Sequence, residues 1–114
     1  MKRLFMQKLK ISVLAAGICL LSLAIATPAM AADGATIYKG KCFACHGPDA
    51  KTSIMPLYPK LAGQNEEYLL NQLKAFKGAK RMSGQGAVMM GIVGPLSEED
   101  LAAVAKWISE QPGF

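Results

Sequence analysis

The sequence predicts a small all-α domain behind an apolar amino-terminal segment, and three observations predict this fold class. Three segments carry apolar residues at helical spacing, and each begins at a residue that caps helices well. No segment shows the convincing apolar–polar alternation of a half-buried β-strand. The chain has 114 residues, which is a length suited to one domain and too short for a two-domain enzyme or a barrel.

Residues 1–31 have the pattern of a secretory signal peptide. Basic residues near the start precede an uncharged apolar run over 11–26, and small residues at 29–31 form an A-x-A cleavage site. We expect cleavage after residue 31, export to the periplasm, and a mature domain over 32–114 that does not span a membrane. The alternative is an uncleaved membrane anchor, for which the run over 11–26 is short.

The charge of the chain is divided unevenly between these two parts. The leader holds four of the thirteen Lys and Arg residues and none of the eight Asp and Glu residues, so residues 32–114 carry a net charge of +1. The overall pI near 9.2 therefore belongs largely to the leader. The domain also lacks a basic fold motif and clustered stacking aromatics, so we expect no nucleic-acid partner.

Each helix has recognisable start or stop signals. The first begins at Asp33, a good N-cap, and runs to the cysteines at 42 and 45. The second follows Asn65, carries acidic residues in its first turn, and is predicted to end at Gly78. The third begins at Ser97, again with acidic residues in its first turn, and Pro112 stops it.

Two long stretches, 47–63 and 78–95, are predicted to be irregular. The first contains three prolines and the second contains several glycines, yet both hold apolar side chains that need a burial partner. Long loops in a compact domain are usually functional or disordered. A large apolar cofactor between the helices would bury these side chains.

The segment Cys42-Phe43-Ala44-Cys45-His46 reads C-x-x-C-H, the attachment pattern of c-type haem. At positions i and i+3 of a helix the two sulfurs share a face and can reach the two vinyl groups of one porphyrin. The histidine that follows becomes an iron ligand. A redox dithiol would need a βαβ context, and a zinc site would need four protein ligands in a chain with one histidine. We expect one covalent haem c.

From Asp33 to Pro112 the sequence resembles the small single-haem class I cytochromes c of bacteria. Three motifs carry the resemblance in the family order: the haem-attachment motif, the segment 59–63 (PKLAG), and the segment 89–91 (MMG) before the last helix. The resemblance implies the class I cytochrome c fold, with three main helices and two long loops wrapped around one covalent haem.

The resemblance also implies the surroundings of the haem. The carbonyl of Pro59 is expected to accept a hydrogen bond from Nδ1 of His46, and Leu61 is expected to pack on the haem. The first and last helices of the family cross closely, with small and aromatic residues at the crossing. The corresponding residues here are Tyr38, Gly40, Trp107 and Ile108. Two interpretations stay open for three further residues, Tyr68, Gln72 and Arg81. They either contact the haem propionates or have ordinary core or surface roles.

The sixth iron ligand is expected to be a methionine. The single histidine excludes bis-histidine ligation within one chain, and Met/His ligation is the electron-transfer arrangement. In bacterial relatives the ligand lies eight residues before the serine that caps the last helix, and counting back from Ser97 gives Met89. Its neighbour Met90 is the alternative if the register differs by one. Met55 lies too close to the histidine in sequence, and Met82 is expected to be exposed.

The resemblance implies a periplasmic electron-transfer protein that carries one electron between respiratory redox partners. It implies no enzymatic turnover of its own, and we expect a monomer or a weak dimer whose donor and acceptor are redox proteins. One alternative is a haem c subunit of a larger periplasmic oxidoreductase, which a large exposed apolar patch would favour. Another is a ligand-binding or peroxidase-like haem protein, which would need an open sixth site with a polar distal group.

Overall fold

The computed structural model describes residues 32–113, and the predicted signal peptide lies outside them. Within 32–113 the regular elements are helical and no β-strand occurs, which confirms the all-α prediction. The elements are, in chain order, α1 (Gly34–Ile37), a π-helical segment (Tyr38–Cys42), α2 (Phe43–His46), α3 (Glu66–Lys77), α4 (Gly86–Val93) and α5 (Glu98–Glu110). In this part of the chain no helix has the length and apolar character needed to cross a membrane.

The predicted helix starts are confirmed. The Asp33 carboxylate accepts a hydrogen bond from the amide of Thr36 at the start of α1. The Asn65 side chain accepts from the amide of Tyr68 at the start of α3. Ser97 begins α5 with a reciprocal capping box. Because these bonds satisfy amides that have no partner inside the helix, they fix where each helix begins.

The stretch 78–95 differs from the prediction, because it contains the helix α4. Gly78 is the C-cap of α3, as predicted, but the chain turns back into a helix at Gly86. No side chain caps α4, and it consists of apolar residues and two glycines, so no polar face marks a helical period in the sequence. Met89 and Met90 consequently lie on a helix. The other stretch, 47–63, contains no helix.

The core is built around α5, which packs against α3 and α1. Its buried side chains recur at i, i+3, i+4 and i+7, which is the spacing of one helical face. They are Leu101, Val104, Ala105 and Ile108. Leu69 and Leu73 of α3 and Ile37 of α1 complete this core from either side.

The crossing of the first and last helices involves a different glycine from the one predicted. A Cβ atom on Gly34 would lie 2.3 Å from the carbonyl oxygen of Ala103 in α5, so only glycine allows this approach. Gly40, the predicted residue, lies exposed in the π-helical segment, and a Cβ there would meet no atom within 4 Å. The aromatic part of the prediction is confirmed, because the rings of Tyr38 and Trp107 pack with centroids 4.6 Å apart.

Candidate haem-binding site

A largely apolar cavity of about 350 Å³ lies between α3, α4 and the segment that carries the C-x-x-C-H motif. The six site residues that the sequence predicts all line it: Cys42, Cys45, His46, Pro59, Leu61 and Met89. These residues come from three separate parts of the chain, and the fold brings them to one space.

The two cysteines lie one helical turn apart at the junction of the π-helical segment and α2. Cys42 is buried, Cys45 is half-buried, and neither forms a disulfide. Burial, together with the neighbouring Cys45, raises the pKa of the Cys42 thiol to about 11. Reactive dithiols in redox enzymes have lowered thiol pKa values. The surroundings of Cys42 therefore differ from those of a dithiol catalyst.

His46 is buried and its ring is held by the loop that follows. Its Nδ1 lies 3.3 Å from the carbonyl oxygen of Pro59, which is the hydrogen bond that the resemblance implies. Because a carbonyl can only accept, Nδ1 carries the proton and Nε2 keeps its lone pair. Burial lowers the pKa of His46, and the bond to Pro59 opposes this only in part. His46 is thus held in the neutral form that binds metals.

The carboxyl end of α2 is tied to the helix crossing through Tyr38. The Tyr38 hydroxyl donates a buried hydrogen bond of 2.6 Å to the carbonyl oxygen of Gly47, the residue after His46. Burial is the main cause that raises the pKa of Tyr38 to about 12, so the phenol stays protonated as a donor. Tyr38 therefore connects the helix crossing, where it packs on Trp107, to the residue that follows His46.

The methionines of residues 32–113 occupy different surroundings. Met89 is half-buried on α4 and lines the cavity. Met90 is half-buried on the same helix, but it is not among the residues that line the cavity. Met55 and Met82 are each 43% exposed and do not line it. Among the methionines of the described part of the chain, Met89 shares the cavity with His46.

The apolar walls of the cavity come from two helices. Leu69, Leu73 and Phe76 of α3 form one wall, and Val88 and Ile92 of α4 form another. The helical spacing of the three α3 residues predicted that they face the core, but it did not indicate that they line a cavity. For α4, the apolar residues in the stretch 78–95 indicated that this part of the chain contacts a cofactor.

Three polar side chains that the sequence left open also line the cavity: Tyr68, Gln72 and Arg81. Nη1 of Arg81 donates to Oε1 of Gln72 at 2.8 Å, and its guanidinium lies 4.5 Å from the centroid of the Phe76 ring. Arginine recognises carboxylates well because its planar group offers several donors. This group could hold the carboxylates of a bound cofactor at the edge of the cavity.

The chemistry of these residues fits a c-type haem. Two thiols at i and i+3 can form thioethers, a neutral imidazole and a thioether sulfur can bind iron, and the remaining walls are mainly apolar. The fold and this set of groups define a small all-α haem protein with a covalently attached cofactor.

Comparison with known proteins gives the same class. Residues 31–112 match the family described as cytochrome c. Cytochrome c-554(548) of Halomonas halodenitrificans is 40% identical over 72 residues, which is 63% of this chain and 86% of that protein. Cytochrome c4 of Stutzerimonas stutzeri is 44% identical over 103 residues, covering 82% of this chain and 49% of that protein. The thiosulfate dehydrogenase electron acceptor of Thiomonas intermedia is 39% identical over 69 residues, covering 60% of this chain and 30% of that protein.

The chain belongs to the cytochrome c family, as a small class I cytochrome c of the bacterial type. It is an electron-transfer haem protein, and its cofactor is a covalently bound haem c. The chain spans about half the length of the cytochrome c4 that it matches, at 49% of that protein.

Proposed function

We propose that residues 32–114 form a periplasmic carrier that moves one electron between respiratory redox partners. In this proposal Cys42 and Cys45 attach the haem, and His46 and Met89 bind its iron. The observation that carries the proposal is that these four side chains line one cavity. When bound, the haem supplies a reversible one-electron change of its iron.

The residues around the cavity have separate tasks in this carrier. The bond from Nδ1 of His46 to Pro59 leaves Nε2 as the iron-binding nitrogen and fixes the ring orientation. Met89 would supply a soft sulfur ligand to the iron, and a thioether ligand would favour the reduced state. The apolar walls disfavour the more highly charged oxidised state, because charge is costly to bury. Together these residues would raise the reduction potential of the bound haem, and with both ligands in place the iron would not bind a substrate.

Exposed apolar side chains in the loop 47–63 support a protein partner. Ile54 is 65% exposed and its neighbour Met55 is 43% exposed, and neither residue lines the cavity. Such exposed residues suit a contact surface for another protein. The Thiomonas relative is named as an electron acceptor of thiosulfate dehydrogenase, which supports an oxidoreductase as one partner.

The same exposed side chains favour the second candidate, a haem c subunit of a larger periplasmic oxidoreductase. Sedimentation of the protein in the periplasmic fraction of its own host separates the two candidates. A free carrier sediments as a single chain or a weak dimer. A subunit sediments with a complex several times larger, and that result would reject the free carrier.

The proposed export is tested on the isolated protein. Expression with residues 1–31 in a host that matures c-type cytochromes should give a periplasmic protein that begins at Ala32. Its mass should equal residues 32–114 plus one haem. A protein that retains residues 1–31 in the membrane fraction would contradict the proposed cleavage and location.

The closed sixth position is tested with carbon monoxide. The visible spectrum of the dithionite-reduced holoprotein should be that of a low-spin c-type haem, and carbon monoxide should leave it unchanged. A spectrum that shifts on addition of carbon monoxide would mean an open or labile sixth site. The ligand-binding or peroxidase-like alternative would then replace the carrier.

A further inference from the structure

Lys77, the last residue of α3, bonds to the far end of α4. Its Nζ donates to the carbonyl oxygen of Gly94 at 2.8 Å and also to the carbonyl oxygen of Leu96. Gly94 is the C-cap of α4, and Leu96 lies in the turn beyond it. The carbonyls at the end of a helix lack partners within the helix and attract cations. Lys77 satisfies this end of α4 from a neighbouring helix.

The other end of α4 is fixed by a close backbone contact. Gly86 is buried, and a Cβ atom there would lie 2.4 Å from the carbonyl oxygen of Arg81. The amide of Arg81 in turn donates to the carbonyl oxygen of Ala75 in α3 at 3.2 Å. The start of α4 therefore rests directly on the turn that leaves α3, and Met89 lies between the two anchored ends.

These anchors matter because α4 has little stability of its own. It has eight residues, no side-chain N-cap and an internal glycine at position 91. Isolated helices of this length are marginal in water. Its position, and therefore that of Met89, depends on the contacts that other elements make with it.

We propose that Lys77 is a positioning residue for the Met89 thioether. By holding the carbonyls of Gly94 and Leu96, Lys77 keeps α4 in the place where Met89 lines the cavity. The inference rests on the proposed function, in which Met89 is the sixth iron ligand. It adds that the strength of this ligation is set from outside the cavity, by a residue that does not line it.

The test compares imidazole binding to the ferric holoprotein, because imidazole must displace Met89 to bind the iron. Lys77→Leu removes the donor and introduces no new iron ligand. It should bind imidazole about 10-fold more tightly than the unchanged protein, because the variant loses both hydrogen bonds that hold the end of α4. The red charge-transfer absorption of thioether-ligated ferric haem should weaken in parallel. Lys77→Arg keeps a cationic donor and should stay close to the unchanged protein.

Lys74→Leu is the matched control. Lys74 lies one turn earlier on α3 and forms a 3.0 Å ion pair with Glu98 at the start of α5. The control matters because the charge of Lys77 also acts on Asp100 in the same first turn of α5. Lys74→Leu removes a contact between α3 and α5 and leaves the bonds to α4 intact, so its imidazole affinity should not change.

Equal imidazole affinity in Lys77→Leu and Lys74→Leu would overturn the inference, even if both unfold at lower denaturant concentration. If Lys77→Leu does not yield folded holoprotein, Lys77→Gln replaces it. We expect Lys77→Gln to bind imidazole more tightly than the unchanged protein, by a smaller factor. An unchanged imidazole affinity in Lys77→Gln would count against the inference. Failure of the proposed function is distinguishable, because it would appear in the unchanged protein as a reduced spectrum that carbon monoxide shifts.

Discussion

Nδ1 of His46 lies 3.3 Å from the carbonyl oxygen of Pro59, and this contact joins the end of α2 to the loop 47–63. It fixes the tautomer of the ring and leaves Nε2 as the nitrogen able to bind iron. The acceptor is a backbone oxygen, so its position depends on the path of the loop. The loop is itself held, because the amides of Leu61 and Ala62 both donate to the carbonyl oxygen of Ala50.

Gly34→Ala is expected to destabilise the holoprotein by about 1–3 kcal/mol, the usual cost of inserting a methyl group into a packed contact. The new methyl group would lie 2.3 Å from the carbonyl oxygen of Ala103 and force α1 away from α5. Gly40→Ala is the control, since its methyl group meets no atom within 4 Å. Urea unfolding followed by circular dichroism measures both variants. Equal stability of the two would contradict the close crossing.

The carboxylate of Asp49 is expected to make stability depend on pH in the acid range. It accepts from the amides of Thr52 at 2.7 Å and Lys51 at 3.0 Å, and from the Thr52 hydroxyl at 2.8 Å. These bonds, the Thr52 amide first, lower the pKa of Asp49 from its ordinary value of 3.8 to about 2. Because the pKa of Asp49 is lower in the folded than in the unfolded protein, its ionised carboxylate stabilises the fold above about pH 4. This stabilisation is lost as the pH falls toward 2.

Carboxyl-carbon NMR of the labelled holoprotein measures this titration directly. Asp49 should titrate near pH 2, well below the ordinary value for aspartate. In Asp49→Asn the group cannot ionise, so the stability lost between about pH 4 and 2 should be smaller than in the unchanged protein. Titration of Asp49 at its ordinary value would contradict the three hydrogen bonds.

Arg81→Gln is expected to lower the reduction potential by tens of millivolts. Arg81 lines the cavity, and a positive charge there favours the reduced state of the haem, which carries one positive charge fewer. An interaction of about 1 kcal/mol corresponds to roughly 40 mV for one electron. Lys106→Gln is the control, because Lys106 pairs with Glu110 on α5 and does not line the cavity. A potentiometric titration in which Arg81→Gln matches Lys106→Gln would exclude this role.

The sequence predicted the features that local chemistry determines. The caps at Asp33, Asn65 and Ser97 mark their helices because short polar side chains satisfy free amides there. The C-x-x-C-H motif marks the cofactor because its spacing is fixed by the porphyrin. Cys42 and Met89 were identified as site residues from these patterns and from the family resemblance, and the structure places both on one cavity.

The features that the sequence did not predict depend on contacts between distant segments. α4 has no cap and no polar face, and it is held by Lys77 and by the contact of Gly86 with the turn after α3. In the π-helical segment the amide of Phe43 donates to the carbonyl of Tyr38, five residues back. No residue propensity predicts a π-helical turn at this position. Gly34 instead of Gly40 lies at the helix crossing for the same reason, since the helix packing alone decides which glycine is close.

The central proposal, that His46 and Met89 would both bind the haem iron, is tested most directly by Met89→Ala and Met90→Ala compared with the unchanged protein. The measurement is the visible spectrum of each dithionite-reduced holoprotein before and after carbon monoxide. We expect carbon monoxide to shift the spectrum of Met89→Ala and to leave that of Met90→Ala unchanged. A shift in Met90→Ala with none in Met89→Ala would move the ligand by one residue and contradict the assignment.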